Sequence, residues 1–187
     1  SGYPKREYDL EELAKETKFE ENGAGFEKMH NSYFVFVRTG KFALKSPHDK
    51  EYYVFPDAKI GVEIRQKGKK FDIGHPVVMN EYRHPFLAGN RTMQKMSFGT
   101  YNLSSTTRGK SAKDIAIDFL EMGKKLIIMG YVKAENPYRL LNNANFGTYK
   151  QSKSYLERNN IPCLNEAMVD ENTTKQTRSR RWTWIQR

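Results

Sequence analysis

Two His-Pro pairs stand nine residues apart, at His75-Pro76 and His84-Pro85, and restrict the chain more than any other local feature. Proline fixes its own φ and pushes the preceding residue out of the helical region, so each pair marks a rigid, extended corner. Between them run Val77, Val78, Met79 and Tyr82. After the second pair comes a short irregular stretch that ends in Met96-Ser97-Phe98-Gly99. Residues 75–99 therefore read as a strand, a corner, a loop and a small hydroxyl side chain just before a glycine. A rigid corner followed by a loop is a suitable place to hold a reactive group, and Ser97 is the group on offer.

The segments before this corner have the period of a sheet. Residues 32–37 (SYFVFV) are dense in β-branched and aromatic side chains and predict a strand. Residues 38–41 look like a tight turn with 42–44 as the returning partner. Residues 46–49 form a loop, 51–55 a strand, and Pro56-Asp57 a turn. In residues 59–65, Ile60, Val62 and Ile64 alternate with Gly61, Glu63 and Arg65, which is the period of a half-buried strand. A basic turn around Gly68 leads into the extended segment 71–82. After Gly99 the pattern changes. Ser111 is placed as an N-cap with Asp114 three residues on. Ile115, Phe119, Met122 and Leu126 then recur at helical spacing, which predicts a helix over 112–129 closed by Gly130. Leu10, Leu13 and Phe19 suggest a short amphipathic helix over 7–19, ended by the glycines at 23 and 25. Asn136-Pro137 opens a further segment over 137–146, and 149–158 reads as another helix. Strands come first and helices follow, so the expected class is α+β: a four-stranded antiparallel meander with an N-terminal helix and C-terminal helices.

The 187 residues fit a single domain at 7–165. Residues 1–6 are then an N-terminal extension or cloning scar (Ser1-Gly2), and 166–187 a basic C-terminal tail. The longest apolar run, Leu126 to Met129, is far below the roughly 20 residues needed to span a bilayer. No signal peptide is visible and the single cysteine, Cys163, precludes an internal disulfide, so a cytoplasmic, membrane-free setting is expected. The four histidines lack ligand spacing, and no metal or other cofactor is expected. The chain carries 32 basic and 22 acidic residues, a net charge of +10, which favours anionic partners. Five basic groups and one acid fall in the last 17 residues, where Arg180-Arg181-Trp182-Thr183-Trp184 interleaves bases and indoles. That pattern suits phosphate contact with stacking, or docking on an acidic surface. Arg108-Gly109-Lys110-Ser111 ends like a phosphate-binding loop, but the glycine that motif requires five residues earlier is Ser104. Cys163 reads as a packed thiol.

The order of elements, with Pro76-Val77-Val78 as a proline-led strand, Tyr82-Arg83-His84-Pro85 as an aromatic-His-Pro corner and Met96-Ser97 where an apolar-cysteine step is expected, resembles the ubiquitin-conjugating enzymes (UBC-like superfamily), in particular their bacterial and archaeal branch. The resemblance spans residues 7–160 and about 30 of them carry it. It implies a carrier that accepts the C-terminus of a ubiquitin-like protein from an activating enzyme onto residue 97 and passes it to an amine of an acceptor protein. His84, with Tyr101 and Asn102, would complete the catalytic set; Tyr82, Pro85, Phe86 and Gly99 would shape the loop. ATP chemistry belongs to the activating enzyme, so the carrier itself needs no cofactor.

The chain departs from that pattern in three ways, the first being a spacing of 13 from His84 to Ser97, a few residues longer than is usual in the eukaryotic branch. Phe86 stands where the family has asparagine after His-Pro. Serine occupies the thiol position, and it admits three readings: a substitution for a natural cysteine, a natural inactive variant that binds partners without carrying them, or a misplaced match. A thiol carries acyl groups well because part of it is thiolate at neutral pH, whereas a serine hydroxyl needs an adjacent base. In sequence, the neighbouring candidate for that base is His84. A basic nucleic-acid-binding domain remains the alternative from a different class.

Overall fold

The computed structural model describes residues 14–15, 24–96, 98, 107–129, 149–167 and 169. They form an α+β structure of two antiparallel sheets with helices packed against them. The larger sheet contains β1 (Gly25–Met29), β2 (Ser32–Arg38), β5 (Lys59–Lys67), β6 (Lys70–Ile73), β7 (Val77–Val78) and β8 (Gln94–Lys95). Its order is β1-β2-β5-β7-β8, with β6 also paired to β5. The smaller sheet is β3 (Phe42–Lys45), β4 (Tyr52–Phe55) and β9 (Lys150–Gln151). The helices are α1 (Ala112–Met129) and α2 (Lys153–Arg158).

β5 is the axis of the larger sheet because its alternation is strict. Ile60, Val62 and Ile64 are fully buried beneath α1, while Gly61, Glu63 and Arg65 take the other face. At the end of β5 a two-residue turn reverses the chain, and Gly68 supplies its positive φ of 63° without steric cost. The predicted single segment 71–82 is in fact two strands on one edge of β5. Ile64 faces Ile73 and Gly61 faces Val77, so residues 62–63 oppose residues 74–76. The extra residue makes a bulge at Gly74-His75-Pro76, where proline has no N–H to give the ladder. The Gly74 N–H is kept by the Glu63 carbonyl at 2.8 Å.

The expected four-stranded meander is corrected in two ways. First, the larger sheet has six strands and the chain leaves it between β2 and β5. Second, β3 does not return along β2 but pairs with β4, Phe42 facing Phe55 and Lys45 facing Tyr52. The pattern of residues 42–44 showed a strand, while its partner was set by long-range packing. Phe42 and Phe55 stack at 5.5 Å inside the shared core. The helix expected over 149–158 is shortened to α2, because Lys150–Gln151 pairs with β4. Ser152 caps α2 by accepting from the Tyr155 N–H at 3.1 Å.

α1 forms where its apolar spacing predicts, and the Ser111 hydroxyl accepts from the Asp114 N–H at 3.2 Å. Ala116, Leu120, Leu126 and Ile127 are fully buried on its inner face. Of the expected helix over 7–19, Ala14–Lys15 are helical and Ala14 is buried; the rest, the segment 137–146 and Gly130 lie outside the described residues. The packed body continues past the predicted boundary at 165: Val169 is buried in the main core and its N–H donates to the Asn165 carbonyl. Residues 170–187, with the Arg/Trp motif, lie outside the described residues. Among the described residues no helix is long and apolar enough to cross a membrane.

Cys163 lies in a short extended segment beside β3. The Ala43 N–H donates to the Pro162 carbonyl at 2.8 Å, and the Leu164 N–H to the Ala43 carbonyl at 3.0 Å. The thiol is half-buried, and burial pushes its pKa up, as a packed thiol requires. Next to it, Asn165 acts as a missing strand. Its amide oxygen accepts from the Lys45 N–H at 2.6 Å and its amide nitrogen donates to the Lys45 carbonyl at 2.9 Å, at 1% exposure. Asn165→Ala orphans both backbone groups and is expected to cost about 2–3 kcal/mol in urea unfolding; a loss below about 0.5 kcal/mol would show that water replaces the clamp.

Candidate functional site

Residues 79–93 form a long excursion between β7 and β8, and main-chain pairing closes its base. Val77 faces Lys95 and Val78 faces Gln94. The Met93 N–H donates to the Met79 carbonyl at 3.3 Å, and Tyr82 bridges Arg91. One step further, the Met96 N–H donates to the Pro76 carbonyl at 3.2 Å.

The second His-Pro corner sits at the centre of this excursion. His84 is 4% exposed and both ring nitrogens are engaged. Nδ1 accepts from the Phe86 N–H at 3.1 Å, so the proton is on Nε2, which donates to the Ile127 carbonyl of α1 at 2.9 Å. Burial pushes the pKa of the ring down to about 3, because it strips the imidazolium of its hydration, and the Ile127 hydrogen bond offsets only part of that. The ring packs at 5.0 Å from Phe55 and 5.2 Å from Phe86, with Tyr82 stacked at 6.3 Å. A neutral ring with both nitrogens bonded has no lone pair left to take a proton from a hydroxyl. His84 thus serves as an anchor joining the corner to α1, and the base that a serine at 97 requires is not supplied by this ring.

Tyr82 also packs beneath the loop. It is 1% exposed and its hydroxyl donates to the Pro56 carbonyl at 2.6 Å. Tyr149 ties the corner to the smaller sheet, stacking on Phe55 at 4.8 Å and donating from its hydroxyl to the Arg83 carbonyl at 3.2 Å. Pro85 and Phe86 are half-buried. Phe86 contributes its N–H and ring contact to His84, and it has no side-chain donor for an oxyanion. Of the sequence-derived set, Tyr82, His84, Pro85 and Phe86 come together here. Ser97, Gly99, Tyr101 and Asn102 lie outside the described residues, and their neighbours Met96 and Phe98 are buried at 5% and 9% exposure.

Gln94 was not singled out from sequence, yet it holds the loop. At 2% exposure its amide nitrogen donates to the Tyr82 carbonyl at 2.7 Å and the Arg91 carbonyl at 3.0 Å, while its oxygen accepts from the Gly89 N–H at 3.1 Å. Its flanking residues, Arg91, Thr92, Met93 and Lys95, do not mark it in sequence; its inward phase follows from the pairing with buried Val78. Gln94→Ala leaves three backbone groups to find water, and about 2–3 kcal/mol of stability is expected to go with them. The same substitution is expected to speed native-state proteolysis at the exposed residues 88–92, and unchanged cleavage there would remove Gln94 as the staple.

Beside the hairpin a cleft of about 570 Å³ opens between Phe34, Val77 and Met93 of the outer sheet face and Phe119 of α1. Lys95 and the exposed His75 stand at its rim, and the His75 ring meets Phe119 edge-on at 6.3 Å. Among the described residues no group of three or more His, Cys, Asp or Glu side chains is arranged to hold a metal ion. Arg108-Gly109 is a turn and Lys110 pairs with Asp118, so the phosphate-loop-like motif is a capped helix entry. Compared with protein-family models, with curated proteins and with solved structures, the chain matches none.

Proposed function

We propose that the protein is a UBC-like carrier, or a partner-binding member of that fold, in ubiquitin-like conjugation, with position 97 as the point at which another protein's C-terminal acyl group is held. What supports the reading is the corner itself. His84 is locked between α1 and the Phe86 N–H, the loop is stapled by Gln94, and Met96, the residue before position 97 in the sequence, is buried. A preformed loop of this kind keeps an incoming peptide tail at the acyl-accepting atom without a further ordering cost. The cleft beside Lys95 offers room for such a tail.

The state of His84 bears on which form is active. With no proton acceptor on that ring, the serine hydroxyl stays protonated, and efficient carriage calls for cysteine at 97. The same observation favours the second reading, a module that binds the ubiquitin-like partner without carrying it. The two separate in one assay with activating enzyme, ubiquitin-like protein and ATP. Ser97→Cys gives a thiol-sensitive adduct and the serine chain a slower, thiol-resistant, base-labile one if residue 97 carries the acyl group. Binding without either adduct supports the module, and neither adduct nor binding overturns both.

A further inference from the structure

The β5–β6 turn gathers three lysines within four residues. Lys67, Gly68, Lys69 and Lys70 are all exposed, and Lys67 faces Lys70 directly across the hairpin. Like charges placed opposite one another destabilise a strand pair. Among the described residues none of these three ammonium groups has a carboxylate within ion-pair distance. Gln66 pins the turn by donating to the Gly68 carbonyl at 3.2 Å, so the lysines are presented on a defined frame.

More positive charge gathers at the same end of the sheet. Tyr33 of β2 faces Ile64 of β5, which puts the β1–β2 turn, with exposed Lys28, on this side. α1 runs away from it: Phe119 meets His75, Gly123 lies over Ile60 and Pro76, and Ile127 receives His84. Its first turn, with exposed Lys113, and the turn that precedes it, with exposed Arg108, therefore lie towards the tip. Asp72 and Asp118 are taken up by Arg65 and Lys110.

We infer that this pole binds the phosphodiester backbone of a nucleic acid without reading its sequence. Several ammonium groups on a frame match a row of phosphates, and each contact releases counterions. The tip carries no apolar side chain to bury in a bilayer, which a membrane-surface element would present next to its bases. This surface is distinct from the His84 corner and does not depend on position 97.

The test is fluorescence anisotropy of a labelled oligouridylate about 20 nucleotides long, titrated from roughly 50 to 200 mM salt. Lys67→Gln/Lys69→Gln/Lys70→Gln is compared with Lys41→Gln/Lys150→Gln/Lys153→Gln, an equal loss of charge on exposed side chains of the smaller sheet and α2. The pole variant is expected to bind about tenfold more weakly, with the slope of log K against log salt reduced by about 2, at roughly 0.7 per lost phosphate contact. The control variant should keep the wild-type slope. Because the like-charge pair is gone, the pole variant should unfold at or above the wild-type temperature, so weaker binding is not misfolding. Equal losses in the two variants, an unchanged slope, or no binding by the wild type at the lowest salt would each overturn the inference. So would binding to phosphatidylserine vesicles with the oligonucleotide left free.

Discussion

His84→Ala is expected to lower the stability of the folded chain by about 3–5 kcal/mol, from the cavity it leaves and from the Phe86 N–H and Ile127 carbonyl it orphans. A domain of this size has about 5–15 kcal/mol in total, so the variant would be near unfolding at room temperature. The corner would lose its tie to α1 at the same time. Acid acts on the same contact. The folded ring titrates near 3, against about 6.5 for the unfolded chain. Folding depresses this pKa, so the unfolded state binds the extra proton over the interval between the two values. The contribution of His84 is therefore fully present above about pH 6.5 and is lost as pH falls towards 3, at about 1.4 kcal/mol per pH unit for one proton. Between pH 6.5 and 5, before most carboxylates titrate, urea midpoints should show that slope in the wild type. His84→Gln should abolish it. A wild type with flat stability across that interval would mean that the ring protonates in the folded state without loss.

Gly123→Leu is the second substitution expected to do large damage. A Cβ at this position would come within 2.9 Å of Ile60 Cγ2 and 3.0 Å of Pro76 Cβ, with the Met96 sulfur at 3.3 Å. The helix backbone thus lies directly on the strands that lead into the corner. Leucine has to lift α1 from β5 and β7 or displace Met96, and about 3 kcal/mol or more is expected to be lost. Gly123→Ala separates the causes. Alanine gains about 1 kcal/mol of helix propensity and pays only for the Cβ contact, so its net loss should be clearly smaller. Urea unfolding of both variants checks this. If leucine is tolerated within about 1 kcal/mol, α1 is not seated as closely as the glycine implies.

Two classes of feature differ in how well they can be read from sequence. The strand at 59–65 and the helix at 112–129 follow from period alone, because one face of each is buried against the other and the alternation or the helical spacing records it. The Ser111 cap is equally local, since its partner is three residues away. The smaller sheet is different. Residues 42–45 have strand composition, but their partners at 52–55 and near Cys163 are fixed by which aromatic rings share the core with Phe55, a long-range matter. The candidate site divides in the same way. Proline chemistry marks the corner at His84-Pro85 because it acts on the neighbouring residue. The tautomer of His84, and the roles of Gln94 and Asn165, depend on which distant backbone groups lack a partner. The residues flanking Gln94 and Asn165 are of mixed polarity, so neither clamp has a local mark in the sequence.

The outer face of the larger sheet adds a related lesson. Gly61 has no side chain because Met79 crosses above it, where a Cβ would meet the sulfur at 2.4 Å. Phe34, Val77 and Met79 pack there as a small second core. Strict alternation in β5 marked the first face, and the second was hidden by the polar Glu63 and Arg65 beside it.

Whether the second His-Pro corner is a finished scaffold for position 97 comes down to the state of one imidazole, which nitrogen-15 NMR of the labelled histidine side chains reads across a titration. A neutral ring with its proton on Nε2, unchanged from pH 7 to about 4.5, is the expected result. A ring that titrates near 6.5, or one protonated on Nδ1, would mean that the Ile127 and Phe86 contacts do not hold the corner, and the proposed carrier would lose the geometry on which it stands.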